Sequence, residues 1–428
     1  MQTRSTVIIA CALAASVVLT SCASVHSGGA RFASTPDSSR IRSDIVFLAS
    51  DALEGRGTGS PGNDSAAAFA ARRYQSLGLR SLSSGYLQPF EARSALLAHT
   101  GGGTAVRTQN VVAWLPGNDP ALRGQTIVIG AHIDHLGTSA TGALDPERGS
   151  VIRNGADDNA SGTAAVLELA RLFTARPTRR SMLFVNFSGE ELGLLGSRYF
   201  VEHSPVPIDS ITAMLNFDMV GRMRGDSLIV YGVATARELP ALLDSANARV
   251  GLSVRGVGDG FGPSDQSSFF ARNIPVLHFF TNLHEDYHRS TDDANKINAA
   301  GEARVVALAE RVVRQIDARD GRLTFLRSTA PSVAGNRTGS NVYLGSIPDM
   351  AAPEVKGLRL TGVRAGSPAD SAGLKAGDIV VELGGKEVSD LQTYSDALYS
   401  HQPGEQVAIV VVRDGERVRL QVKLGRRG

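Results

Sequence analysis

Thr126-Ile127-Val128-Ile129-Gly130-Ala131-His132-Ile133-Asp134 is an unbroken apolar run that stops at a histidine and an acid. A strand that is apolar at every position is covered on both faces, and such strands belong to parallel sheets packed between helices. In extended backbone, residues two apart point the same way. His132 and Asp134 are therefore expected to face one place, with the carboxylate holding the imidazole in one tautomer.

The pattern repeats outward from this run. The spacing predicts strands at 181–187, 211–217, 227–233 and 274–280 and helices at 160–173, 192–201, 236–249 and 301–316. Before it, helices are expected at 41–50 and 64–77 around the glycine-rich stretch 55–62, and a strand at 110–114 that ends in Leu115-Pro116-Gly117. Alternation of this kind implies an α/β fold, a three-layer sandwich with a mostly parallel central sheet.

In open α/β sheets, active sites gather beyond the carboxyl ends of the strands. The acids and histidines of this chain fall there. Asn154-Gly155-Ala156-Asp157-Asp158-Asn159-Ala160-Ser161-Gly162 opens a helix, where acids also serve as caps. The strand at 181–187 runs into Ser188-Gly189-Glu190-Glu191. Adjacent side chains diverge, so one of these carboxylates can bind a metal while the other takes a proton from water; a solvated acidic loop is the plainer alternative. Asn216-Phe217 leads to Asp218, and Glu285-Asp286-Tyr287-His288 follows the strand at 274–280. Each feature has a structural explanation alone, but together they imply a metal site. The only cysteines, Cys11 and Cys22, lie far from these motifs, so a metal must be held by His, Asp and Glu. That donor set suits zinc, with manganese or cobalt as alternatives.

Ala131-His132-Ile133-Asp134-His135, Gly155 to Gly162, Glu190-Glu191-Leu192-Gly193-Leu194-Leu195-Gly196-Ser197, Asn216-Phe217-Asp218-Met219-Val220-Gly221 and Asp286-Tyr287-His288 occur in the order of the motifs of one family. Over residues 40–320 the chain resembles the aminopeptidase Y/S-like zinc peptidases, metallopeptidase family 28. The resemblance implies a zinc-exopeptidase-like fold and two zinc ions per chain. His132 and Asp218 would ligate one, Glu191 and His288 the other, and Asp158 would bridge them, with Asp157 as the alternative bridge. It implies Glu190 as general base, Asp134 as the residue orienting His132, Tyr287 as an oxyanion stabiliser, and a cis Asp158–Asn159 bond. Ser264-Asp265-Gln266 departs from the family, which often carries His or Tyr at the third position. His135, His278, His284 and Arg56 with its glycines are read as structural.

Two zincs sharing a water lower its pKa, so that hydroxide forms near neutral pH. Glu190 would remove the proton and return it to the leaving amine. A substrate α-amine near the second metal would favour removal of N-terminal residues. The alternatives are a glutaminyl cyclase-like zinc acyltransferase, against which His132 argues, a carboxypeptidase or dipeptidase of the same fold, and a non-catalytic binding lipoprotein.

The chain of 428 residues suits two or three domains. Its net charge of +2, with no stripe of Lys and Arg among aromatics, argues against nucleic acid as a partner. Arg4 and the apolar run 7–19, shorter than the about 20 residues of a membrane span, read as an export signal. Leu19-Thr20-Ser21-Cys22 resembles a bacterial lipobox. The expected organisation is a lipoprotein signal peptide at 1–22, a tether at 23–38, the peptidase domain at 39–325, a linker at 326–340 and a further domain at 341–428. The chain would be exported and lipid-anchored through Cys22, facing the periplasm or on the outer membrane of a bacterium.

The last region changes class, with short β runs at 358–363, 379–383, 406–413 and 417–424. Gly366-Ser367-Pro368-Ala369-Asp370-Ser371-Ala372-Gly373-Leu374-Lys375-Ala376-Gly377-Asp378-Ile379-Val380 is similar to the signature of bacterial PDZ domains, and Tyr343-Leu344-Gly345-Ser346-Ile347 resembles their carboxylate-binding loop. This resemblance implies a small α+β domain that binds peptide or protein C-termini; a spacer is the plainer alternative. Partners would thus be peptide substrates and these C-termini, with membrane contact only through the lipid.

Overall fold

The computed structural model describes residues 35–94, 105–258, 260, 264–326, 342–348, 356–363, 366–389 and 391–426. The export signal, Cys22, the tether up to residue 34 and the linker beyond Leu326 lie outside the described residues.

In chain order the first part contains α1 (Ser38–Leu48), α2 (Pro61–Ser76), β1 (Leu87–Arg93), β2 (Ala105–Leu115), β3 (Thr126–His132), α3 (Gly162–Ala175), β4 (Ser181–Phe187), α4 (Leu195–Glu202), β5 (Ile211–Phe217), β6 (Ser227–Tyr231), α5 (Leu239–Asn247), β7 (Ser253–Val257), α6 (Gln266–Phe270), β8 (Val276–Phe280) and α7 (Ala299–Asp317). The expected tether ran too far. Asp37 caps α1 by accepting from the backbone N–H groups of Ser39 and Arg40, and Thr35 O accepts from Arg171, so these residues belong to the folded body.

One eight-stranded sheet has the order β1-β2-β4-β3-β5-β8-β6-β7. Its centre, β4-β3-β5-β8, is parallel, while β1, β2 and the β6–β7 pair run against their neighbours. Every residue of β3, β4 and β5 is buried, as their unbroken apolar sequences require. The two-residue period divides β3 between two cores. Ile127, Ile129 and Ala131 pack with residues of α1, α2, α3, α5 and α7, whereas Val128 packs with residues of α4 and α6. Helices therefore cover both faces, which gives the three layers.

Gly130 is closely packed within β3. A Cβ there would lie 2.6 Å from Phe187 Cε2 and 3.2 Å from Met214 Cε. Gly130→Ala is expected to destabilise the domain by about 1–3 kcal/mol through overpacking, read as a lower urea midpoint. An unchanged midpoint would show that both side chains move aside freely.

The register brings the carboxyl ends of the central strands level. His132 pairs with Phe187 and Gly130 with Asn216, and Phe217 pairs with Phe279. The residues just beyond them, Glu190, Glu191 and Asp218, emerge at one edge of the sheet together with His132.

The C-terminal part contains β9 (Val342–Tyr343), β10 (Ser346–Pro348), β11 (Leu358–Val363), α8 (Pro368–Ser371), β12 (Ile379–Leu383), β13 (Lys386–Glu387), α9 (Leu391–Tyr399), β14 (Gln406–Arg413), β15 (Glu416–Lys423) and β16 (Gly425–Arg426). These form a six-stranded antiparallel sheet and a β16–β9 pair around a separate core that includes Leu360, Val380, Ile409 and Val411.

Candidate metal centre

Two histidines, His132 buried and His288 half-buried, organise the site. His132 ends β3, and its Nδ1–H donates to the backbone oxygen of Asp134 at 3.1 Å. In the neutral ring Nε2 is then a lone pair, yet it faces Asp158 Oδ1 and Asp218 Oδ1, each at 3.3 Å. His288 repeats the arrangement. Its Nδ1–H donates to Gly142 O at 3.0 Å, and its Nε2 faces Asp158 Oδ2 at 3.1 Å and Glu191 Oε2 at 3.2 Å. His288 takes a left-handed backbone, φ 53°, which a non-glycine residue adopts at a cost. Asp158 thus offers one oxygen to each histidine.

A lone pair aimed at carboxylate oxygens is repulsive unless a proton or a metal cation lies between them. Asp158 Oδ2 and Asp218 Oδ1 are moreover buried and accept no hydrogen bond. Two ligands on one tetrahedral zinc, with bonds of about 2.0–2.1 Å, lie about 3.3 Å apart, which matches the separations here. The donor set of imidazole nitrogens and carboxylate oxygens fits that ion.

Without a metal, the same carboxylates favour a proton on each ring, so both positions call for positive charge. Burial opposes a charged ring at His132, yet Asp218, Glu190 and the Asp158 and Asp218 oxygens that face Nε2 carry its pKa well above the usual value. Burial likewise opposes charge at His288, and Glu191 and Asp158 overcome it. Burial disfavours ionised Asp158, but His135, His132 and His288 hold its carboxyl well below the ordinary range. Glu191 is brought down to about 2, with burial and Asp158 opposed by His288 and His135.

Glu190 behaves differently. Burial, reinforced by Glu191, Asp218 and Asp265 and opposed by His132, pushes its carboxyl well above the usual value. It lies within reach of His132 and Asp218. An acid with a raised pKa beside acids held low is the pattern of a proton carrier among ligands. Tyr287 stacks on the His288 ring with centroids 3.9 Å apart. Burial, together with the charges of Asp158, Glu191, Glu190 and Asp218, keeps its hydroxyl protonated and a donor.

Asp134 meets His132 through both its side chain and its main chain. Its carboxylate lies 3.9 Å from His132 Nδ1, at ion-pair distance, while its backbone oxygen takes the hydrogen bond from Nδ1. The carboxylate also accepts from the Thr58 hydroxyl at 2.6 Å and from the Glu190 N–H at 3.2 Å. It therefore holds the main chain of Glu190.

Asp157 points away from both histidines. It accepts from Gly221 N–H at 2.7 Å and lies 3.1 Å from His284 Nε2. His284 Nδ1 accepts from Asp286 N–H, which leaves the proton on Nε2 to donate to Asp157. The Asp158–Asn159 bond is cis. His278 packs between aromatic rings of β6 and β8, and burial lowers its pKa to about 4. Gln266 accepts from Asn216.

Several supporting residues escaped the sequence reading. His135 contacts Glu191 Oε1 through Nδ1 at 2.9 Å and so belongs to the site; its place directly after Asp134 was the available signal. Asp292 accepts the N–H groups of both Asp157 and Asp158 through Oδ2. Asp265 is fully buried, and its carboxyl is pushed up to about 7, by burial first, with His132 opposing. No local pattern announces Thr58 or Asp292, whereas Asp265 lies in the segment 264–266 already compared with the family.

Residues 110–313 match the family described as Peptidase family M28, and residues 336–424 match the PDZ domain. The chain carries an M28 peptidase domain followed by a PDZ domain. The chain is similar to leupeptin-inactivating enzyme 1 of Streptomyces exfoliatus, 30% identical over 44% of this chain and 38% of that protein. It is also similar to aminopeptidase YwaD of Bacillus subtilis (strain 168), 27% identical over 38% of each chain. The chain thus spans 38% of the length of these curated relatives. In fold, it resembles the aminopeptidase from Aneurinibacillus sp. strain AM-1, with a TM-score of 0.53 at 19% identity over 70% of this chain and 98% of that one. It also resembles Porphyromonas gingivalis glutaminyl cyclase, with a TM-score of 0.55 at 16% identity over 66% of this chain and 99% of that one.

Proposed function

We propose that the M28 domain is a two-zinc exopeptidase that removes residues from peptide N-termini. The observation that carries this reading is the pair of imidazoles, each aiming Nε2 at two carboxylate oxygens, with Asp158 common to both. His132 and Asp218 would hold one ion, His288 and Glu191 the other, and Asp158 would bridge. When bound, the zinc pair supplies an acidified water and polarises the scissile carbonyl.

The chain's own residues do the rest. Glu190, with its raised pKa, takes the proton of the attacking water and delivers it to the leaving amine. Asp134 and Thr58 keep the Glu190 main chain in place. Tyr287 donates its hydroxyl to the developing oxyanion. The surplus of carboxylates in the pocket suits a substrate that brings a positively charged α-amine.

The test is hydrolysis of aminoacyl and N-blocked peptides with zinc counted in the same sample. Two zincs per chain and cleavage confined to free N-termini are expected. One zinc, with cyclisation of N-terminal glutamine, would replace this reading by the acyltransferase; cleavage from the C-terminus would replace it by a carboxypeptidase.

We further infer that the PDZ domain recruits peptide C-termini, which would add a strand to its sheet with the carboxylate held in loop 343–347. Deleting residues 341–428 is expected to raise KM for long peptides while leaving KM for an aminoacyl dye substrate unchanged. Equal KM values for long peptides would reduce the domain to a spacer.

Export and lipid attachment through Cys22 are part of the same proposal. Cys22→Ser is expected to abolish incorporation of labelled fatty acid; labelling of that variant would refute the anchor.

A further inference from the structure

We propose that Arg56 is a positioning residue for the metal centre: its guanidinium clamps together the loop that follows β3 and the loop that opens α3, and so sets the spacing of the ligands they carry. Arg56 is fully buried. Each of its hydrogen-bond acceptors is a main-chain carbonyl. Nε donates to Ile133 O at 2.9 Å, Nη1 to Leu48 O at 2.6 Å and Asn154 O at 2.7 Å, and Nη2 to Gly155 O at 2.8 Å. Ile133 adjoins His132, and Asn154 and Gly155 lead into Asp158. One planar group therefore spans three segments that are far apart in sequence.

The backbone around it is tied to the same place. His135 N–H donates to Arg56 O at 3.2 Å, Gly137 N–H donates to Gly55 O at 3.0 Å, and the Thr58 hydroxyl reaches Asp134. Gly55, at φ 68°, has its Cβ position 2.2 Å from Arg153 O, so no side chain fits where the strap crosses the site loop. Burying a cation without a carboxylate in direct contact is costly. The charges of Asp158, Asp292, Asp134 and Glu191 offset that cost in part. Burial lowers the pKa of Arg56 to about 10, which leaves it charged at neutral pH. Lysine concentrates its donors at one point and does not reproduce the planar fork.

The fold contains a matched control. Arg180 is also buried and donates to the carbonyls of Ile316, Asp317, Arg319 and Gly321. It precedes β4, at the end of the sheet opposite the ligands.

This inference rests on the two-zinc reading, so the first arm counts zinc in the unaltered full-length chain. A count of zero overturns that reading and this inference with it; with a count of two, the role of Arg56 is decided by zinc affinity. That affinity is measured by competition with a chelator for Arg56→Lys and Arg180→Lys, each below its own unfolding temperature. Both substitutions are expected to lower the unfolding temperature of the metal-free protein. Only Arg56→Lys is expected to lose zinc affinity, by at least about tenfold, the scale of losing a group that orients ligands. Parental affinity in Arg56→Lys, or an equal loss in Arg180→Lys, would overturn the proposal. Should Arg56→Lys fail to fold, amide exchange in the unaltered protein decides. Removing zinc is expected to speed exchange at 55–58, 133–137 and 154–158 together while 316–321 is unmoved. Unchanged exchange at 55–58 would overturn the proposal.

Discussion

Replacing Glu190 by glutamine is expected to lower kcat by about 10²–10⁴-fold, the usual scale of a general base, while zinc content stays at the parental level. The substitution preserves size and removes the group that accepts the proton. It does not touch the oxygens that face the Nε2 atoms of His132 and His288, which come from Asp158, Asp218 and Glu191. The Glu190 N–H also keeps its acceptor on Asp134. Loss of turnover with retained zinc therefore separates proton transfer from metal binding. Near-parental kcat in Glu190→Gln would remove Glu190 from the chemistry, and loss of zinc would make it a ligand instead.

Asp158→Ala is expected to have the opposite signature, a protein depleted of zinc and inactive for that reason. Asp158 faces His132 with one oxygen and His288 with the other, so its removal would take a ligand from both of the proposed ions at once. Losing a residue that merely supports a ligand costs about 10–100-fold in metal affinity, and a shared ligand should cost at least the upper end of that range. Asp157→Asn is the informative partner. Asp157 serves Gly221 and His284 instead of the histidine pair, so its variant should keep far more zinc. If Asp157→Asn lost zinc and Asp158→Ala kept it, the assignment of the bridge would be reversed.

The legible and illegible parts of the fold differ in burial. β3, β4 and β5 are covered on both faces, and their continuous apolar runs could be read with bounds close to those observed. β1 and β7 lie at the two edges of the sheet and went unread. β1 contains Pro89 and is largely exposed, and β7 is exposed or half-buried throughout, so neither has an apolar run to announce it. In the PDZ domain β11, β12, β14 and β15 supply one compact core and were legible almost residue for residue, whereas β9, β10, β13 and β16, of two or three residues each, went unread.

The chemistry divides along a different line. The order and type of the histidines and acids at strand ends, and the absence of cysteine among them, follow from local sequence alone, since a strand's end is a local event. That is enough to point to a site of imidazoles and carboxylates beyond a parallel sheet. What the residue string leaves undecided is direction. Asp157 and Asp158 are neighbours of one type, and they diverge because Gly221 and His284 claim one while His132 and His288 face the other. His135, Thr58, Asp292 and Arg56 gain their roles the same way, through partners tens of residues distant or more. A hydrogen bond depends on where two groups meet in space, and only the packed sheet and its loops bring these together.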